Sequence, residues 1–76
     1  MRELVEFLVR ALVENPDEVE VEEFDEDGDL VLEVSVADED LGRVIGRGGR
    51  IANAIRTVAR AAGSRDDRRV IVDILD

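Results

Sequence analysis

The feature that most constrains this chain is a glycine-rich junction at residues 44–51, which reads VIGRGGRI. Two short segments with a helical apolar pattern, 41–45 and 51–62, meet across it. Glycine permits positive φ angles and close backbone approach, so such a junction can present bare amide groups to a ligand. A helix that begins after the junction would add its N-terminal amides and the positive end of its dipole, which favour a phosphate. Arg43, Arg47 and Arg50 supply the matching charge, and the junction therefore predicts an anion site.

The amino-acid inventory excludes most catalytic chemistry. The 76 residues, which predict one domain (1–76), include no cysteine, histidine, lysine or tyrosine. Disulfides, thiolate catalysis and the commonest general base and metal ligand are therefore absent together. Only carboxylates and arginines remain, and nothing in the sequence predicts the apolar pocket that would raise a carboxylate pKa. We expect no enzyme activity, no cofactor and no metal.

Charge is distributed unevenly along the chain. The net charge of −10 argues, taken alone, against a partner that is a nucleic acid. Residues 1–42, however, hold sixteen acids and two arginines, a net charge of −14, whereas residues 43–76 carry a net charge of +4. All ten basic residues are arginine, which genome composition or a saline or hot habitat explains as well as function does. The asymmetry between halves is itself a signal that the basic half contacts a polyanion.

No segment of the sequence predicts membrane insertion or export. A membrane-spanning helix needs about 20 predominantly apolar residues, and no run approaches that length. Glu3 and Glu6 interrupt the apolar residues that a signal peptide would need. We expect a cytoplasmic protein.

The first segment, residues 2–14, has the periodicity of an amphipathic helix that ends before Asn15-Pro16. Its apolar arc is wider than one contact with a sheet requires, because Phe7 and Val13 extend it at both edges. Two interpretations remain open: a small domain with a strongly apolar helix, or a surface for a protein partner. The residues of that candidate partner face are Leu4, Phe7, Leu8 and Val13.

Two strand-like runs follow, at 18–24 and 29–36, and an Asp27-Gly28 turn of type I′ joins them. This turn places Val21 opposite Val34 and Glu22 opposite Glu33, so the turn chemistry and the apolar pattern predict the same register. The acids around the turn do not form an EF-hand. The glycine falls at position 4 of the run where that loop needs it at position 6, and strands flank it where helices are required.

The rest of the chain predicts two helices and a strand. Asp38 is suited to the N-cap of a helix that reaches Gly46, a second helix runs from about residue 50 to 62, and Gly63 would end it. Residues 68–75 alternate as a final strand. The helices between the last two strands form a crossover, so those strands should be parallel neighbours. The expected fold is α+β, in two layers, with the order α-β-β-α-α-β: a three-stranded mixed sheet with three helices on one face.

With this order of elements, residues 44–51 resemble the V-I-G-x-x-G-x-x-I core of a KH domain, with Gly46-Arg47-Gly48-Gly49 as its GxxG loop. The order resembles the type II, or prokaryotic, arrangement. The opening ELVEFLVRALV helix and the run DLGRVIG at 40–46 are similar to the KhpA family of small stand-alone bacterial KH proteins. The resemblance covers the whole chain.

That resemblance implies single-stranded RNA binding, because KH domains clamp about four nucleotides against the GxxG loop. Gly46 and Gly49 would admit the phosphate backbone, and Arg47 and Gly48 would form the loop tip. The full set of implied RNA-binding residues is Arg43, Ile45, Gly46, Arg47, Gly48, Gly49, Arg50 and Ile51, with Ile45 and Ile51 lining an apolar groove for the bases. The resemblance also implies an RNA chaperone that pairs with a KhpB-like KH protein or forms a homodimer and influences cell shape and cell-wall homeostasis.

Alternatives to RNA binding remain open from the residues alone. The two outer glycines of the loop would also suit a tight helix–turn–helix with no ligand. Arg50, Arg56 and Arg60 would also suit a solvated helix face, and the roles of Arg68 and Arg69 cannot be separated. A P-loop is excluded because no Gly-Lys-Ser/Thr follows, and the glycine spacing does not match the Rossmann fingerprint. The remaining alternative function is a protein-interaction subunit with negligible RNA affinity of its own.

Overall fold

The computed structural model describes residues 1–75. In chain order its elements are helix α1 (Arg2–Leu12), a 3-10 turn (Pro16–Glu18), strands β1 (Glu20–Glu26) and β2 (Asp29–Ser35), helix α2 (Asp38–Arg65) and strand β3 (Val70–Ile74). The strands form one sheet in the order β1-β2-β3. β1 and β2 are antiparallel, and β2 and β3 are parallel, so the three-stranded mixed sheet expected from the sequence is confirmed.

The β1–β2 hairpin has the predicted turn and register. Asp27 and Gly28 have φ angles of 53° and 89°, as a type I′ turn requires at its two central positions. Val21 pairs with Val34 and Glu22 with Glu33. Because the turn occupies only these two residues, β1 extends to Glu26, beyond the end that the apolar pattern predicted.

One face of the sheet carries the core. Leu32 and Val34 of β2 are fully buried there, together with Val5 and Val9 of α1. The α2 residues Ile55 and Ala59 and the β3 residues Val70 and Val72 belong to the same buried cluster. The apolar positions of α1 and α2 therefore meet the inward side of the alternating strands, which burial from water stabilises.

Helix α2 consists of two helical stretches. Four non-helical residues, Gly46 to Gly49, separate these stretches within its 28 residues. Within α2, only these four residues have φ and ψ angles outside the right-handed helical region. The N-cap is Ala37, and Asp38 makes no capping hydrogen bond, so the prediction that Asp38 caps this helix is wrong. Neither helix of residues 1–75 combines the length and the apolar composition that crossing a membrane requires.

Among residues 1–75, Asp40, in the first turn of α2, is the one buried acid, with 2% of its surface exposed. Its carboxylate accepts hydrogen bonds from the backbone N–H groups of Glu14 and Asn15, both at 3.0 Å, and from the Asn15 side-chain amide at 3.1 Å. Carboxylates are rarely buried unless such partners are present. Asp40 thus fastens the segment after α1 to the start of α2.

The end of α2 lies beyond the predicted stop at Gly63, which is helical and buried. A Cβ atom there would clash with Cγ2 of Val70 and lie 2.8 Å from the Arg68 carbonyl oxygen. Gly63 is therefore needed for the close approach of α2 to β3, and not for ending the helix. The left-handed terminating residue is Asp67, with φ 55°.

Candidate nucleic-acid interface

The GxxG loop, residues 46–49, is a left-handed reversal of the backbone. Gly46 has an ordinary φ of −67°, but Arg47, Gly48 and Gly49 follow with φ angles of 54°, 71° and 72°. Residues with a side chain rarely adopt this region, and a left-handed conformation costs them roughly 1–2 kcal/mol each. Gly48 and Gly49 therefore satisfy a backbone requirement, whereas Arg47 is held there at an energetic cost.

Gly46 has a different role from the other two glycines. Its φ angle suits any residue, and a Cβ atom built on it meets no atom within 4 Å. The fold itself therefore does not require glycine at this position. The absence of a side chain leaves open space beside the backbone of Gly46, which lines a groove.

That groove, which we call the loop groove, has a volume of about 460 Å³. Residues from both sides of the GxxG loop line it: Gly42, Arg43, Gly46, Arg47, Arg50 and Ile51. Three arginines thus line one concave site beside a glycine. Immediately after the loop the second helical stretch of α2 begins, and its positive dipole end adds to the attraction for an anion.

The structure brings together five of the eight residues predicted for RNA binding, and adds Gly42. Gly48 and Gly49 shape the loop but do not line the groove. Ile45 is 46% exposed and lies outside the groove lining. Ile51 lines the groove and also packs against the core, so it joins the site to the scaffold.

The three arginines of the loop groove differ in their partners. Arg43 Nη2 lies 2.7 Å from Glu14 Oε1 in an exposed ion pair. Within residues 1–75, by contrast, no carboxylate lies within 4.0 Å of Arg47 or Arg50. Arg47 and Arg50 therefore carry charges that are available to a ligand, whereas the charge of Arg43 is shared with Glu14.

A second and larger groove, the strand groove, has a volume of about 580 Å³ between α2 and β3. Its lining includes four arginines, Arg56, Arg60, Arg68 and Arg69, beside the apolar residues of β3. In the part of the chain that the structure describes, β3 pairs only with β2 and is an edge of the sheet. The sequence pattern grouped Arg56 and Arg60 with a helix face, but it could not bring either next to β3, because that contact is long-range.

Arg68 and Arg69 are tied to the acidic hairpin. Arg68 forms an ion pair with Asp25 and donates to the Gly28 carbonyl oxygen at 3.1 Å. Nε of Arg69 lies 4.0 Å from Oδ2 of Asp29. These contacts answer the question left open by the sequence for Arg68: it connects the segment before β3 to the β1–β2 turn, and its charge is already matched there.

The predicted partner face on α1 is exposed only in part. Phe7 is 70% exposed and Leu4 is also on the surface, but Leu8 and Val13 are half-buried. Val13 packs against the core. The exposed apolar surface of α1 is therefore centred on Leu4 and Phe7.

Comparison with known proteins places this geometry in a family. The family model for the KH domain of KhpA/KhpB matches residues 2–74. Proteins named "RNA-binding protein KhpA" are similar over nearly the whole chain. The one from Caldanaerobacter subterraneus subsp. tengcongensis is 51% identical, over 99% of this chain and 100% of its own length. The relative from Clostridium acetobutylicum is 48% identical over the same shares, and that from Halalkalibacterium halodurans is 47% identical over 100% of both chains.

A match of this extent confirms the resemblance seen in the sequence. The family is not known for enzymatic activity, in agreement with the expectation that the chain is no enzyme. The glycine loop with its arginine groove lies within the matched residues, and the chain belongs to the KhpA/KhpB family of KH domains.

Proposed function

We propose that this chain binds single-stranded RNA through the GxxG loop and the loop groove. The observation that carries the proposal is the convergence of Arg43, Arg47 and Arg50 on one groove whose wall includes Gly46. Phosphate contacts of this kind supply most of the affinity of sequence-tolerant nucleic-acid binders. The names of the relatives, which are called RNA-binding proteins, support the same choice of ligand.

The RNA path continues, in this proposal, from the loop along α2 to the strand groove. Arg56 donates weakly to the Val72 carbonyl oxygen, at 3.5 Å, and so lies over the edge of β3. Arg60 lines the same groove and, within residues 1–75, has no carboxylate within 4.0 Å. These two side chains would accompany the RNA backbone, and the apolar residues of β3 would face the bases.

Sequence specificity should be low. Base stacking on aromatic side chains contributes about 1–3 kcal/mol per base in many single-strand binders. The chain has two aromatic residues, Phe7 on α1 and Phe24 on β1, and neither lines the loop groove or the strand groove. Recognition would therefore rest on phosphate contacts and on the apolar walls.

The wider proposal follows the family. Residues 1–76 form a single type II KH domain, in which the two halves of α2 count as separate helices and three helices cover one face of the sheet. The protein acts in the cytoplasm as an RNA chaperone with a KhpB-like KH partner. The surface centred on Leu4 and Phe7 serves that partner or a second copy of the chain. The links to cell shape and cell-wall homeostasis belong to the same proposal.

The test is a titration of a fluorescent single-stranded RNA, followed by anisotropy at two salt concentrations. Two to four arginine–phosphate contacts predict a log–log salt slope of about −1.5 to −3, at about 0.7 per contact. Arg47→Asp should abolish most of the affinity, since aspartate tolerates a positive φ and the change reverses the charge at the loop tip. Arg2→Asp is the matched control, because Arg2 is exposed on α1 and lines neither groove.

Equal binding by wild type and Arg47→Asp would exclude the GxxG loop as the site. A wild type that binds no RNA at either salt concentration would favour the second function, a protein-interaction subunit. The exposure of Phe7, 70%, is the observation that keeps this second function open.

A further inference from the structure

We propose that the Glu14 carboxylate competes with RNA phosphate for Arg43 and so lowers the RNA affinity of the loop groove. The inference rests on the proposed function, and it assigns to the acidic half of the chain a direct part in binding. Arg43 is the one arginine of the loop groove that has a carboxylate partner among residues 1–75.

The contact is accessible to a ligand. Glu14 Oε1 and Arg43 Nη2 are 2.7 Å apart, and the two side chains are 69% and 51% exposed. An exposed ion pair is only marginally stable, because water and ions screen it. A phosphate that enters the loop groove can therefore displace the carboxylate at modest cost.

The position of Glu14 beside Arg43 is determined by a buried anchor. The Glu14 backbone N–H donates to Asp40 Oδ1 at 3.0 Å, and the following N–H donates to Oδ2 at the same distance. Asp40 precedes Arg43 by three residues in α2, which is about one helical turn. The anchor therefore holds Glu14 over the helical turn that carries Arg43, without relying on its side chain.

The geometry favours competition over orientation of the arginine. Glu14 contacts a single guanidinium nitrogen, and such a contact does not fix the guanidinium plane as a bidentate pair would. Even a phosphate that used the other nitrogens of Arg43 would lie close to the negative charge of Glu14. Both modes of phosphate binding are thus opposed by that charge.

The experiment compares the RNA affinity of Glu14→Gln with that of the wild type, with a labelled single-stranded RNA at low and high salt. Glutamine keeps an oxygen acceptor for Arg43 and removes the charge. We expect an affinity gain of about two- to fivefold at low salt, which shrinks as salt screens the pair. Glu6→Gln is the control: it removes the same charge from the Glu6–Arg10 pair, whose atoms are 2.8 Å apart on α1 outside both grooves.

A double-mutant cycle identifies the partner, because the gain from Glu14→Gln should disappear in an Arg43→Ala background. An equal gain in RNA affinity from Glu6→Gln would show that the change in net charge alone causes the gain, and it would overturn the inference. A loss of affinity in Glu14→Gln, or no change, would also overturn it while the proposed function stood. If the wild type and both glutamine variants bind no RNA, the proposed function fails and the inference fails with it.

Discussion

Asn15 binds Asp40 twice, since its backbone N–H and its side-chain amide both donate to Oδ2, at 3.0 and 3.1 Å. With the Glu14 N–H on Oδ1, the carboxylate accepts three hydrogen bonds in a buried position. These bonds connect the segment after α1 to the first turn of α2, whose helical stretch leads directly to the GxxG loop. The segment after α1 and the helical stretch that precedes the GxxG loop thus meet at one charged side chain.

Asp40→Asn should destabilise the fold, and the loss should depend on pH. The backbone hydrogen bond from Glu14, those from Asn15 and the charge of Arg43 lower the pKa of Asp40, although burial opposes them. A carboxyl whose pKa is lowered in the folded state contributes stability above its unfolded value, about 3.9, and loses it as pH falls through the folded pKa. The urea midpoint of the variant should therefore be lower near neutral pH, and the difference should close in acid.

Asp38→Asn is the control for that measurement. Asp38 is two residues away in the same helical turn but is exposed and makes no capping hydrogen bond. Its variant should stay close to the wild type across the same pH range. A pH-independent difference between Asp40→Asn and wild type would contradict the role assigned to the charge.

Gly46→Ala tests whether the outer glycines of the GxxG loop serve RNA binding or only a tight turn between helices. If glycine served only the turn, alanine would cost stability, but Gly46 has a φ of −67° and open space at its Cβ position. Alanine at such a position leaves stability unchanged or raises it by about 0.4–1 kcal/mol. We expect RNA affinity to fall all the same, because the methyl group enters the loop groove. Thermal unfolding and anisotropy titration measure the two effects.

Gly48→Ala provides the contrast. Its φ of 71° makes alanine strained, and the free energy of unfolding should fall by about 1–2 kcal/mol. If Gly46→Ala bound RNA as tightly as the wild type, the prediction that a phosphate closely approaches this glycine would be wrong.

Asp67→Gly should stabilise the protein by about 0.5–1 kcal/mol. The Asp67 N–H donates to the Ser64 carbonyl at 3.2 Å, and the Arg68 N–H to that of Gly63 at 3.0 Å, which together form a Schellman motif with Asp67 at its left-handed position. Glycine removes the strain of φ 55° and also removes a negative charge from the negative end of the helix dipole. Urea unfolding measures the gain, and Asp66→Gly, which removes the same charge at a position with an ordinary φ of −95°, should show a smaller one because it relieves no strain.

Phe7→Glu should prevent self-association if the exposed surface of α1 is an interface between copies. Because Phe7 is 70% exposed, the stability of the monomer should change by only about 0.5 kcal/mol. Sedimentation at several concentrations gives the mass. Phe24→Glu, which changes a residue of β1 outside that surface, should leave the measured mass unchanged. A monomeric wild type at every concentration would exclude the homodimer and leave a different protein as the partner.

The β1–β2 hairpin could be predicted from local sequence alone. Asp27-Gly28 demands a type I′ turn, and the alternation of valines demands one buried face, so both lead to the same register, with Val21 opposite Val34. The GxxG loop was also recognisable from sequence, since glycine spacing between two amphipathic segments is a local pattern. Arg47 lies in the loop, and Arg43 and Arg50 flank it closely enough that a compact turn brings the three together.

Helix boundaries were less predictable. Asp38 and Gly63 had the residue types of a helix cap and a helix stop, yet Ala37 and Asp67 occupy those positions. Tertiary packing overrode the propensities: Gly63 is required where α2 touches Val70, and the helix ends beyond that contact, at Arg65.

The sequence by itself determined the elements, the hairpin register, the glycine loop and the family, because each depends on neighbours along the chain or on a motif of fixed spacing. Only the tertiary structure decided which charges that are distant in the sequence meet. Glu14 and Arg43 are 29 residues apart, and Asp25 and Arg68 are 43 apart. No periodicity relates such pairs, because their contact exists only after the sheet and helices have packed.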